Sequence, residues 1–147
     1  MYYMQQVSLI CELFGWRCVN LDEHAMSIFV FDNYGAEYSI LVDEFEEHIR
    51  CSLSVLQTAE SKDLMIKCCE AVTHANNLIN AGFFLYFENE IRTVCDIFHI
   101  NEETVEQTIN LLISHYNNFK TPLELVIKDQ MDLNMMEYIV TNESGLC

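Results

Sequence analysis

The stretch SKDLMIKCCEAVTHANNLINAGFFLYFENEIRTVCDIFH, residues 61–99, decides the fold of this chain. Its first half places Leu64, Met65, Cys68, Ala71, Val72, Ala75, Leu78 and Ile79 at steps of three and four. That spacing gathers apolar side chains on one face of a helix. Gly82 is read as the stop, because a helix end favours a residue at ease with positive φ. The period then changes to two. Phe83, Leu85 and Phe87 alternate with Phe84, Tyr86 and Glu88, and later Ile91, Thr93, Cys95 and Ile97 alternate with Arg92, Val94, Asp96 and Phe98. Two such runs around Glu88-Asn89-Glu90 read as a β-hairpin, with a turn weaker than Asn-Gly.

Working back from this unit, Thr58-Ala59-Glu60-Ser61 offers N-cap residues and an early acid for the central helix. Ile49, Cys51, Leu53 and Val55 alternate with Arg50, Ser52 and Ser54, the pattern of a half-exposed strand. Before the acidic turn at 43–47, residues 37–42 and 26–31 read as strands separated by Asp32-Asn33-Tyr34-Gly35. A short strand at 16–21 follows an N-terminal helix at 5–14, closed by Gly15. Working forward, Asn101 with Glu102 and Glu103 opens a further helix, whose apolar stripe is Val105, Ile109, Leu112, Ile113 and Tyr116. Pro122 is expected to interrupt it or to start a short continuation through Lys128. Beyond that the pattern weakens, although Met131, Leu133, Met135, Met136, Tyr138 and Ile139 keep it apolar enough to dock. The order is α-β-β-β-β-α-β-β-α, an α+β fold with a mostly antiparallel sheet. At 147 residues, 1–147 reads as a single domain.

Asp and Glu number 23 against 7 Lys and Arg, a formal charge of −16. Nucleic-acid binders need clustered cations to displace counterions, and anionic lipid attracts cations too. The expected partners therefore include no nucleic acid and no membrane, and a protein carrying basic segments fits better. Residues 1–6 show neither a basic n-region nor a small-residue cleavage site, so no signal peptide is expected and the location is read as cytoplasmic. There the seven cysteines are thiols acting as small hydrophobes.

The chemical constellations are thin. Cys68 and Cys69 point about 100° apart on a helix and make poor joint ligands. His48 and Cys51 would face opposite sides of a strand. Cys95 and His99 would share a strand face if the strand ran that far, yet two ligands do not make a site. The acids at 43–47 lack the alternating spacing of a calcium loop. No catalytic residue, metal ligand or cofactor is therefore assigned, and a cysteine-dependent enzyme or redox sensor is kept as the alternative.

Leu13-Phe14-Gly15-Trp16, Asn76-Asn77-Leu78-Ile79-Asn80-Ala81-Gly82-Phe83, Glu90-Ile91-Arg92 and Thr121-Pro122 give the chain a likeness across about residues 9–128. In these it resembles the YbjN family of putative bacterial sensory transduction regulators, which share a fold with type III secretion chaperones. These are fold landmarks and carry no agreed site. The hairpin departs from the family's glycine-containing turn, and the tail at 129–147 lies outside the likeness. The resemblance implies a cytosolic homodimer that binds other proteins without catalysis, chaperone-like or regulatory. Aromatic residues on both faces of the hairpin add an expected partner or dimer surface at Phe84, Tyr86, Val94 and Phe98.

Overall fold

A computed structural model of the chain describes residues 2–143. The element order is α1 (Tyr2–Phe14), β1 (Arg17–Asp22), β2 (Ala25–Phe31), β3 (Glu37–Glu44), β4 (Ile49–Gln57), α2 (Lys62–Asn76), β5 (Phe83–Phe87), β6 (Glu90–Ile97), α3 (Glu102–Ile127) and α4 (Leu133–Glu143). The fold is α+β, with a six-stranded antiparallel sheet in the order β1-β2-β3-β4-β6-β5. The chain divides into two compact units, whose boundaries fall inside β4, β6 and α3. One holds the residues up to Leu53 with Val94–Ile113, the other Ser54–Thr93 with the residues from Ser114 on.

In the first unit, α1 ends as its sequence requires. Gly15 sits at φ 72, Trp16 N–H donates to Cys11 C=O at 2.9 Å, and Gly15 N–H donates to Glu12 C=O at 3.2 Å. This paired closure demands a left-handed residue, and glycine adopts that state without a Cβ clash. The other end of α1 is capped from far along the chain. Glu44 Oε2 accepts the Tyr3 and Met4 backbone N–H groups at 2.9 and 3.2 Å, and a carboxylate there is favoured by the helix dipole. Asp32 builds the β2–β3 turn by accepting from the Tyr34 and Ala36 N–H groups and from the Tyr38 hydroxyl. Alternation then sorts the side chains. Met26, Ile28, Ile40, Val42, Ile49 and Cys51 are buried, as are Val7 and Cys11 of α1 and Val105, Ile109 and Leu112 of α3.

In the second unit, Ser61 Oγ accepts the Leu64 N–H and caps α2 as expected. The stop differs from the sequence reading. The helix ends at Asn76, with Asn77 as C-cap, and the φ of 67 at Gly82 serves the entry into β5 instead. Tertiary bonding is the reason: Asn76 turns its side-chain amide onto the Phe84 backbone, so the helix cannot run on. The hairpin turn is Glu88-Asn89, with φ of 49 and 64, the geometry of a two-residue type I′ turn. Its tip is tied down by Thr58, whose N–H donates to Asn89 C=O at 2.8 Å.

Pro122 does not interrupt α3, which is continuous through it. Proline lacks the N–H for one helical bond and costs about 3 kcal/mol or more in a helix interior. Phe119 and Leu123, both fully buried on either side of it, hold the segment in the core and outweigh that cost. Asp129, at φ 59, closes α3 in the same way that Gly15 closes α1. Asp132 Oδ1 then accepts the Met135 N–H and starts α4. The segment after Lys128 thus forms a helix that packs on α2, burying Met136 and Val140. Val55, Cys68, Ala71, Ala75, Phe84, Ile91, Phe119 and Leu123 share that core.

Candidate functional site

The first unit has a dressed and an undressed sheet face. Residues alternating with the core positions, namely Arg17 and Val19 on β1, Ser27, Phe29 and Phe31 on β2, and Ser39 and Leu41 on β3, point away from the buried set, and Leu21 sits at the break in the β1 register. The register lines them up in rows: Val19 opposite Ser27 and Ser27 opposite Leu41, then Arg17 opposite Phe29 and Phe29 opposite Ser39. Val19, Leu21 and Phe31 are 41%, 56% and 63% exposed. Polar contacts knit the surface between them. Ser27 and Ser39 hydroxyls bond at 2.9 Å, and the Arg17 guanidinium lies 4.2 Å from the Phe29 ring centroid.

β1 closes one end of the strand order, and among the described residues only β2 pairs with it. Five of its six residues are exposed, and its pairing slips between Asn20 and Asp22. Beside it lies a depression of about 510 Å³, walled by Met4, Gln5, Ser8 and Leu9 of α1 and by Asn20, Asp22 and Glu23. An exposed edge presents unpaired backbone donors and acceptors, a template for another chain.

Near β4 and the end of β6 the same unit carries a charged and aromatic cluster. Arg50 Nε and Nη2 donate to the two carboxylate oxygens of Asp96 at 2.8 and 3.0 Å. That bidentate bond holds the Asp96 carboxyl below its ordinary range, against the opposing effect of burial. His48 Nε2 lies 3.9 Å from Asp96, and its ring is sandwiched between Phe45 and Phe98 with centroids 4.9 and 4.8 Å away. Phe45 and Phe98 keep their outer faces in solvent. His48 and Cys51 part company as expected, since Cys51 is buried in the core.

Four of the described thiols are poorly placed for nucleophilic chemistry. Burial pushes Cys11 up to about 12, with Cys18 adding to the effect, and burial likewise pushes Cys51, Cys68 and Cys95 up. β6 ends at Ile97, so His99 does not share its face with Cys95. Among the described residues no group of three or more His, Cys, Asp or Glu side chains converges as a metal-binding set.

The four residues expected at a partner or dimer surface fall in different places. Phe84 is 2% exposed, its ring 4.7 Å from Phe119 and 5.5 Å from His115. Tyr86 is half-buried on the same core, with its hydroxyl donating to Asn89 Oδ1 at 3.3 Å. Val94 is 1% exposed, whereas Phe98 is 69% exposed. The chain's own core therefore occupies the surface expected at Phe84, Tyr86 and Val94. Their burial comes from helices packing within the chain, which alternation alone does not reveal. The sequence reading missed Val19 and Leu21, whose signal was the period-two run Arg17-Cys18-Val19-Asn20-Leu21 ending the strand order. It also missed the Phe45–His48–Phe98 stack, whose third ring lies 50 positions along the chain from His48. The chain matches no protein-family model, no curated protein and no solved structure.

Proposed function

We infer that the chain is a non-enzymatic cytoplasmic protein-binding module, chaperone-like or regulatory, that holds an apolar or basic segment of a partner protein. The observation that carries this reading is β1, a bare edge strand with Val19 and Leu21 exposed beside an apolar cleft. An extended segment added there would gain backbone bonds along the strand and side-chain contacts on its undressed face. With a charge of −16 the chain favours basic clients and speeds their encounter. No described helix is long and apolar enough to cross a membrane. The competing reading, a cysteine enzyme or redox sensor, draws less support because burial keeps four of the thiols protonated.

Affinity capture from native lysate with mass spectrometry tests the reading. A partner retained by the native chain and lost with Val19→Lys/Leu21→Lys, whose fold is checked by circular dichroism, supports it. An unchanged set of captured proteins defeats it. The homodimer implied by the resemblance belongs to the same proposal, with exposed Phe45 and Phe98 as its contact. Light scattering would then give twice the 17.2 kDa chain mass at micromolar concentration.

A further inference from the structure

The second unit carries a groove unrelated to any sheet edge. Two open depressions run along α2. One, of about 800 Å³, lies between Lys67 and Glu70 of α2 and the segment entering α4, with Met131 and Leu133 as its apolar lining. The other, of about 410 Å³, is lined by Glu70, Thr73, His74 and Leu133. Glu70 and Leu133 border both, so the two lie next to each other along α2. From Lys67 to Asn77 the axis of α2 advances about 15 Å, the length of nearly three helical turns.

The chemistry of the walls selects the occupant. Glu70, Asp129 and Asp132 surround the larger depression, and Lys67, the one cation among the described residues that line it, is already paired with Asp129. At the other end Glu137 Oε2 lies 3.5 Å from His74 Nε2, a buried nitrogen without a hydrogen bond among the described residues. The floor is apolar, since Met131 and Leu133 are partly buried against the core and continue to the surface. α2 walls one side of the groove, and the loop 128–132 with the start of α4 walls the other. A second copy of the chain would bring its net charge of −16 against these acidic walls, unlike the aromatic contact at Phe45 and Phe98, so it does not suit this groove.

We propose that this groove docks a basic amphipathic helix of a partner protein. Apolar side chains spaced three and four apart lie on Met131 and Leu133, and flanking Lys or Arg side chains meet Glu70 and Asp132. Exposed Glu70, midway along the groove, faces cations from both of its halves.

The probe is a synthetic peptide of about 18 residues with leucines at helical spacing and lysines elsewhere, titrated into the whole chain and followed by amide chemical shifts. The expected result is saturable micromolar binding, with shifts confined to residues 67–77 and 129–137. Glu70→Lys and, separately, Thr73→Lys, both at exposed positions of α2, weaken it at least fivefold while leaving the circular dichroism unchanged. No binding at millimolar peptide overturns the proposal. So does equal affinity for the same residues in scrambled order, equal affinity for a glutamate-for-lysine peptide, or shifts elsewhere. Val19→Lys/Leu21→Lys leaves peptide affinity within twofold, so failure at the sheet edge and failure here are told apart.

Discussion

Asn76 closes the outer edge of β5 by bonding both backbone groups of a single residue, Phe84. Asn76 Oδ1 accepts the Phe84 N–H at 2.6 Å, and Asn76 Nδ2 donates to the Phe84 C=O at 3.0 Å. β5 ends the strand order opposite β1, so the side-chain amide stands in for a neighbouring strand. One edge of the sheet is sealed at this point and the other is bare. Asn76→Ala leaves two backbone groups of a buried residue without partners and costs about 2 kcal/mol or more in urea unfolding. Asn76→Asp keeps an acceptor for the N–H but sets a carboxylate against the carbonyl, so it destabilises too. Faster hydrogen exchange at the Phe84 amide in the alanine variant would locate the loss.

Glu88 holds φ 49 in the hairpin turn, a left-handed state costing an ordinary side chain about 1 kcal/mol. Asparagine tolerates that state better, so Glu88→Asn raises stability by about 0.5 kcal/mol, read as a higher urea midpoint. Gly82→Ala does the reverse at φ 67, lowering stability by about 1 kcal/mol. An unchanged midpoint for Gly82→Ala would contradict the left-handed geometry at β5's entry.

The Arg50–Asp96 pair gives stability a dependence on acid. The Arg50 hydrogen bonds hold the folded Asp96 carboxyl below its unfolded value of about 3.9. The pair's contribution is therefore complete above that value and is lost as pH falls through the folded pKa. Both side chains keep some solvent contact, which limits the effect to about 1 kcal/mol. Urea melts between pH 2 and 6 should fall more steeply for the native chain than for Asp96→Asn.

His115 acts at higher pH. Its Nδ1 lies 3.0 Å from the Thr93 hydroxyl oxygen, and burial pushes the imidazole pKa down. A depressed histidine is neutral in the fold, so its contribution is whole above about 6.5 and declines as pH falls from there toward the folded pKa. Unfolding free energy should drop between pH 7 and 5.5. The double variant Thr93→Val/His115→Phe, which removes both polar groups together, should flatten that slope.

Sequence alone determined the elements as far as α3 and the sides of the strands, but not the helix α4. Period-two runs fixed which side chains share a face, a property of the pleat that holds whatever packs on it. Ser61 and Gly15 were legible because caps act within a few residues of the helix end. Contacts between distant segments decided the rest. Asn76, not Gly82, marks the end of α2, because its amide is engaged by a strand eight residues later. Pro122 stays helical because Phe119 and Leu123 are buried on either side of it. Phe84 and Val94 looked like a surface, since alternation says which residues share a face but not which face helices cover. That choice depends on where α1, α3 and α4 come to rest.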